Sequence, residues 1–312
     1  MGGPKRSAAG TARVTTRHVR VLVYHNPDAG HEPRPAADVI AELQRAGHEA
    51  RWLNAKDHAL DDEDLRDVDV VVAAGGDGNV GRTARQLLGR DLPIAILPLG
   101  TANNLGTLLE SQPHDLPARL AQWRTLPFDA GILRRGDERM WFFEGFGIGA
   151  FAETAAALTA RAETDPPEPN REAELRRDIR ELRDRARAQR PLACEVLIDG
   201  QRLASPLIML EVLNIGLIGP NVPVAPDADP SDGALDVVMV PEPERGTLTA
   251  FLEACARGDR PPPPFPVRRA TTVRITCAAG CIAHLDGSSI ELAEGEEIEI
   301  GVRHHAVRFL RG

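Results

Sequence analysis

No stretch of the 312 residues stays apolar for the roughly 20 positions that a membrane-spanning helix needs. The segment Met1 to Arg17 also lacks the apolar core of a signal peptide. Cytoplasmic residence is the expectation, with or without peripheral contact at a membrane surface. A basic balance is missing too: 46 Asp and Glu outnumber 37 Lys and Arg, for a formal charge of −9. Nucleic-acid binders neutralise phosphates with a basic surface, so no nucleic-acid partner is expected. Aromatic residues are scarce at 4%, which leaves Val, Leu, Ile and Ala to build the core. The four cysteines, Cys194, Cys255, Cys277 and Cys281, are widely spread and read as unpaired thiols in a reducing compartment.

What is present is enough apolar material, 42% of the chain, for the cores of two domains. Residues 1–16 are small, polar and basic without periodicity, and read as a disordered leader. From His18 the pattern alternates strand, loop and helix. His18 to Tyr24 reads as a strand that ends at the turn cluster Asn26-Pro-Asp-Ala-Gly30. Glu49 to Asn54 reads as a strand and Leu60 to Leu65 as an acidic helix. Val68 to Ala74 and Pro93 to Pro98 read as buried strands. This alternation predicts an α/β domain with a parallel sheet over 17–128. Strand follows strand after Pro127, predicting a β-rich second domain over 129–312 whose last strand is a candidate for returning to the first domain. A charged helix, Glu172 to about Gln189, interrupts it with only a narrow apolar stripe at Leu175, Ile179 and Leu182.

Three loops carry chemistry. Gly75-Gly76-Asp77-Gly78 follows a buried parallel strand and precedes a helix, where open α/β sheets bind ligands. Glycines there let backbone N–H groups approach phosphate oxygens, and the helix N-terminus favours an anion. Asp77 would repel a bare phosphate, which makes it a candidate for holding a divalent cation or for handling a hydroxyl proton. A tight glycine turn with no ligand explains the tetrapeptide alone equally well. Asn26 to Gly30 and Gly100-Thr101-Ala102-Asn103 end strands of the same sheet, however, so all three loops gather along one edge. They supply amide, hydroxyl and backbone donors suited to a polyphosphate.

These motifs resemble the diacylglycerol kinase catalytic-domain family of bacterial lipid kinases and sphingosine kinases, distantly similar to NAD kinases. Further matches are Phe128-Asp129-Ala-Gly131, Gly145-Phe-Gly-Ile-Gly149, Asn214-Ile-Gly216, Ser231-Asp-Gly-Ala-Leu-Asp236 and Asp286-Gly287. The resemblance implies an N-terminal α/β nucleotide-binding domain and a C-terminal β-sandwich, with ATP and Mg2+ in the cleft between them and transfer of the γ-phosphoryl group to a lipid hydroxyl. It implies nucleotide contacts from Asn26, Gly75, Gly76, Gly78, Asn79, Gly100, Thr101 and Asn103. Catalytic parts would fall to Asp77 and Asp129, with Asp77 also a metal ligand. A structural magnesium site would use Asp232 and the backbone of Leu235, a simple β-turn being the alternative. A homodimer is compatible with the sequence.

Three positions depart from the family pattern. Asn79 stands where the family has threonine, Asn104 where it commonly has aspartate, and Ser288 where it has the glutamate of Asp-Gly-Glu. Serine cannot accept a proton near neutral pH as a carboxylate can. A nucleotide-binding pseudokinase is therefore the alternative to an active kinase. The charged 172–189 helix adds a second alternative, an acceptor more polar than diacylglycerol, with an Arg-rich face meeting anionic headgroups as a further option.

Overall fold

The computed structural model describes residues 17–30, 34–162 and 168–312. The leader expected over 1–16 lies outside the described residues. In the first half, β1 (Arg20–His25), β2 (Glu49–Asn54), β3 (Val70–Gly75) and β4 (Ile94–Pro98) pair in parallel in the order β2-β1-β3-β4. Helices α1 (Ala36–Arg45) and α4 (Leu116–Gln122) cover one face, α2 (Asp77–Gln86) and α3 (Asn104–Leu108) the other. Side chains alternate between faces along a strand, so β1 sends Val21 and Val23 towards Val39 and Leu43 of α1. Leu22 and Tyr24 go the other way, into the core of Val80 and Ala84. Both faces are buried, which is why these strands read as continuous apolar runs.

Leu60 to Leu65 forms turns in place of the expected helix. The Asp61 carboxylate accepts from the backbone N–H groups of Glu63 and Asp64, both at 2.8 Å, while Asp64 accepts from Asp61 N at 3.1 Å. Aspartates that capture local backbone donors in this way compete with a helical ladder.

The second half is β-rich. It comprises β5 (Thr125–Arg135), β6 (Glu138–Phe142), β7 (Gly145–Gly149), α5 (Ala150–Ala162), α6 (Arg171–Ala188), β8 (Leu192–Ile198) and β9 (Gln201–Leu213). The short pair β10 (Leu217–Ile218) and β11 (Val222–Pro223) is followed by β12 (Leu235–Pro241), α7 (Arg245–Ala256), β13 (Val267–Ala270) and β14 (Thr272–Cys277). β15 (Cys281–Leu285), β16 (Ser288–Leu292) and β17 (Glu297–Leu310) complete it. Antiparallel neighbours run β16-β15-β7-β9-β8-β14-β17. β17 spans both halves: Glu299 to Arg303 pair with the far end of β5, Val307 to Leu310 with its start, and Phe309 meets Ile94 of β4 in parallel. Helices α5, α6 and α7 bury Phe151, Leu182, Leu248 and Phe251 against β9 and β12. Helix α6 begins where Asn170 accepts from Ala173 N at 3.0 Å, an N-cap of the usual kind.

Candidate active site

The three glycine-containing loops touch backbone to backbone. A Cβ on Gly30 (φ +79°) would sit 1.7 Å from the Leu99 carbonyl oxygen, and one on Gly100 would sit 2.5 Å from the Gly76 Cα. Glycine is required there for loop-to-loop contact as well as for any ligand. Asn103, itself left-handed at φ +51°, clasps Gly100 by accepting from its N–H at 2.9 Å and donating to its carbonyl. Asn79 spends its amide on the carbonyls of Tyr24 and Ala74, at 3.0 and 3.1 Å, bracing β1 against β3.

Three carboxylates gather beyond these loops. Asp77, in the first turn of α2, accepts from the backbone N–H of Asn104 at 3.0 Å and of Leu105 at 3.2 Å. Asp286, in the turn from β15 to β16, accepts from the N–H groups of Phe143, Glu144 and Gly145 and from Arg85 at 3.2 Å. Glu144 accepts from the Asn104 amide at 2.9 Å, and that amide also donates to the Gly219 carbonyl at 3.0 Å. Burial, reinforced by the Asp286 charge, pushes Asp77 up to about 6. Burial followed by the charges of Asp77 and Asp286 holds Glu144 well above the usual carboxylate range. Asp286 is raised by burial in spite of its backbone donors and Arg85.

Two cavities meet at this cluster. The larger, about 480 Å³, is polar; Asn26, Gly76, Asn79, Gly100, Arg82 and Arg85 line it with Lys56, Ser288, Asp77 and Asp286. The smaller, about 170 Å³, is lined chiefly by apolar atoms of Ala102, Phe151, Ala155 and Ile218, and again by Asp77 and Asp286. It shares Ala102, Phe151, Ala155 and Gly219 with an apolar groove of about 220 Å³ between α5 and α6, which runs on past Leu158 and Leu175. Thr154 and Thr159 donate their hydroxyls to the α5 carbonyls of Ala150 and Ala155, which leaves the groove few free polar groups.

Among the sequence-predicted residues, Asn26, Gly76, Asp77, Gly78, Asn79, Gly100 and Ser288 line the polar cavity. Gly75 lies just behind it, at the end of β3, and Asn103 braces its edge. Thr101 lines the apolar groove instead, with its hydroxyl 3.3 Å from Glu174. Asp129 is fully buried on β5 outside these cavities. Its carboxylate accepts from Gly233 N and His305 N, both at 2.7 Å, and lies 3.0 Å from His304 Nδ1. Asp232 accepts from Ala234 N and pairs with Arg269, and Leu235 enters β12. Burial and the charges of Asp232, Asp227 and Asp229 push the neighbouring Asp236 up to about 6, so acids gather at this turn as well. Asp77 lies in a cluster of three buried acids in which Arg85 pairs with Asp286, so a cation there would offset repulsion. Sequence reasoning missed Glu144, Lys56, Arg82 and Arg85. For Glu144 the signal was a single acid inside the run Trp141-Phe-Phe-Glu-Gly-Phe146.

Comparison with known proteins matches both halves of the chain. A model of the diacylglycerol kinase catalytic domain matches residues 20–131, and one of the YegS C-terminal NAD kinase beta sandwich-like domain matches 170–299. The chain thus combines a diacylglycerol kinase catalytic domain with a YegS C-terminal NAD kinase beta sandwich-like domain. It is 27% identical to a diacylglycerol kinase of Mycobacterium tuberculosis over 288 residues, covering 86% of this chain and 88% of the relative. It is 21% identical to one from Bacillus subtilis over 301 residues, covering 92% and 96%. A crystal structure of a diacylglycerol kinase from Bacillus anthracis superposes with a TM-score of 0.67 at 17% identity, over 95% of this chain and 98% of that one. It shares the fold. Among the described residues no helix is long and apolar enough to cross a membrane.

Proposed function

We propose that the protein is an ATP-dependent lipid kinase that transfers the γ-phosphoryl group to a hydroxyl at the head of an apolar acceptor. The observation that carries this reading is the junction of a polar cavity and an apolar one at Asp77 and Asp286. The polar cavity offers glycine N–H groups, Asn26, Arg82, Arg85 and Lys56 to a triphosphate. The apolar cavity and its groove offer aliphatic surface to a hydrocarbon chain and bring the attached hydroxyl to the acid cluster. This lining favours a lipid over the more polar acceptor that the charged α6 left open. Half of the α6 charges are exposed, and Asp178, which lines the groove, is buried and paired with Arg161. Arg171 donates to the carbonyls of Thr101 and Ala102 and fixes the β4–α3 loop.

Phosphoryl transfer depends mainly on positioning and on stabilising charge on the transferring group. Arg82 and Arg85 face that charge, and the backbone donors of the glycine loops hold the phosphates in line with the apolar mouth. Asp77 would hold Mg2+, and the ion would neutralise charge on the triphosphate. Asp129 ties the 230–233 turn to β17, so its part is support of the cleft wall.

Calorimetric titration with MgATP, paired with phosphate transfer from ATP to a lipid extract, tests the reading. Wild-type protein should bind and turn over, and Asp77→Asn should lose at least a hundredfold in turnover. Nucleotide binding with no transfer to any lipid would replace the kinase with a nucleotide-binding relative.

A further inference from the structure

A carboxylate and an imidazole with no part in the account above are buried together beside the apolar cavity. Glu211 on β9, Gly147 on β7 and His284 on β15 lie in register on three adjacent strands. Directly opposed residues share a face of the sheet, so a side chain at 147 would separate the other two. Glycine removes it: a Cβ there would lie 2.1 Å from Glu211 Oε2. His284 Nε2 reaches across this gap to Glu211 Oε2 at 2.8 Å. Glu211 is 0% exposed and His284 3%.

An ionisable pair buried in the apolar strand Pro206-Leu-Ile-Met-Leu-Glu-Val-Leu213 is costly to the fold unless its polar atoms are matched. Here the matching is incomplete. Glu211 Oε1 and His284 Nδ1 have no hydrogen-bond partner among the described residues. Buried groups left unpaired in this way are rare, and His284 lines the apolar cavity together with Asp77, Glu144 and Asp286. His284 therefore stands in the wall of that cavity with its second nitrogen buried and unpartnered.

Resting on the kinase reading, we propose that His284 is the general base for the acceptor hydroxyl and that Glu211 is its positioning residue. The pair does from β15 and β9 what Ser288 cannot do from the start of β16. With Nε2–H donated to Glu211, Nδ1 carries a lone pair. Nδ1 takes the hydroxyl proton as the hydroxyl oxygen bonds to the γ-phosphorus. The bond from that phosphorus to the β–γ bridging oxygen breaks, and ADP leaves with the electron pair. The imidazolium formed is held by the Glu211 carboxylate, and the proton passes to solvent after product departs.

The test measures phosphate transfer to lipid with His284→Gln, His284→Ala and Glu211→Gln, together with MgATP affinity and thermal melting of each. His284→Gln should lower kcat by about a hundredfold to ten-thousandfold with KM for lipid and MgATP affinity within about twofold of wild type. Added imidazole should restore part of the His284→Ala rate, since the truncation leaves room for it beside the cavity. Glu211→Gln should slow the wild-type background and have no further effect in His284→Ala, as expected if it acts only through the histidine. Wild-type kcat in His284→Gln, or a loss in His284→Ala that imidazole leaves unchanged, would overturn the assignment while leaving the kinase reading intact. A wild-type protein that transfers no phosphate to any lipid would instead refute the kinase reading and this one with it.

Discussion

Replacing Asn104 by aspartate, the residue common at this position in the family it resembles, is expected to destabilise the ligand-free protein in a pH-dependent way. Asn104 is 2% exposed, and its amide donates to Glu144 Oε2 at 2.9 Å and to the Gly219 carbonyl at 3.0 Å. Asn104→Asp removes both donors and sets a second carboxylate against Glu144. Each buried acceptor left without a donor costs about 1–3 kcal/mol. Loss of the pair of bonds therefore costs roughly 2–6 kcal/mol, before any repulsion. Repulsion is relieved by taking up a proton. Both carboxyls would then lie above their unfolded pKa, so between those values the folded state binds more protons than the unfolded, and stability falls as pH rises. The loss should be largest at pH 8 and shrink towards pH 5, where one protonated carboxyl can donate to the other. Denaturant unfolding of both proteins at the two pH values, with and without MgATP, measures this. MgATP should recover part of the loss at pH 8, because a cation at Asp77 offsets the added charge. Equal stability of variant and wild type at pH 8, or a larger deficit at pH 5, would refute the reasoning.

Filling the apolar cavity with Ala155→Trp should raise KM for lipid at least tenfold and leave MgATP titration unchanged, because Ala155 lines the apolar cavity and its groove but not the polar cavity. In Gly100→Ala the new Cβ falls 2.5 Å from the Gly76 Cα, a backbone contact that no rotamer can relieve. A stability loss of about 1–3 kcal/mol and a clear fall in MgATP affinity are expected by melting and calorimetry. With Asp77 pushed up to about 6, protons compete with the cation below that pH. MgATP affinity should fall as pH drops from 7 to 5, and the same titrations with Asp77→Asn should show a flatter dependence.

The parallel sheet and the meeting of three loops were legible in the sequence because both follow from local signals. Apolar runs mark strands buried on two faces, and each run ends in glycine or asparagine. The apolar groove was not legible. It depends on α5, whose residues Ala150 to Ala162 carry little charge and weak periodicity, and on two threonines whose hydroxyls turn back onto their own helix. Helix α6 could be read, but only as a charged surface. It gives the groove Leu175 and Asp178, and Leu175 gains meaning only from sharing that lining with Phe151 and Leu158, which are distant in sequence.

The departures at Asn104 and Ser288 show why residues read singly mislead at such a site. Counted along the chain, Asn104 is a negative charge lost beside the triphosphate. In the fold, Asp77, Glu144 and Asp286 already crowd the same cavity; Asp77 accepts from the backbone of residue 104, Glu144 from its amide, and Asp286 from the backbone of Glu144. A fourth carboxylate would have no donor and little countercharge beyond Arg85. The amide at 104 therefore supports Glu144, and what a carboxylate there would add in metal affinity it would subtract from the stability of the empty site.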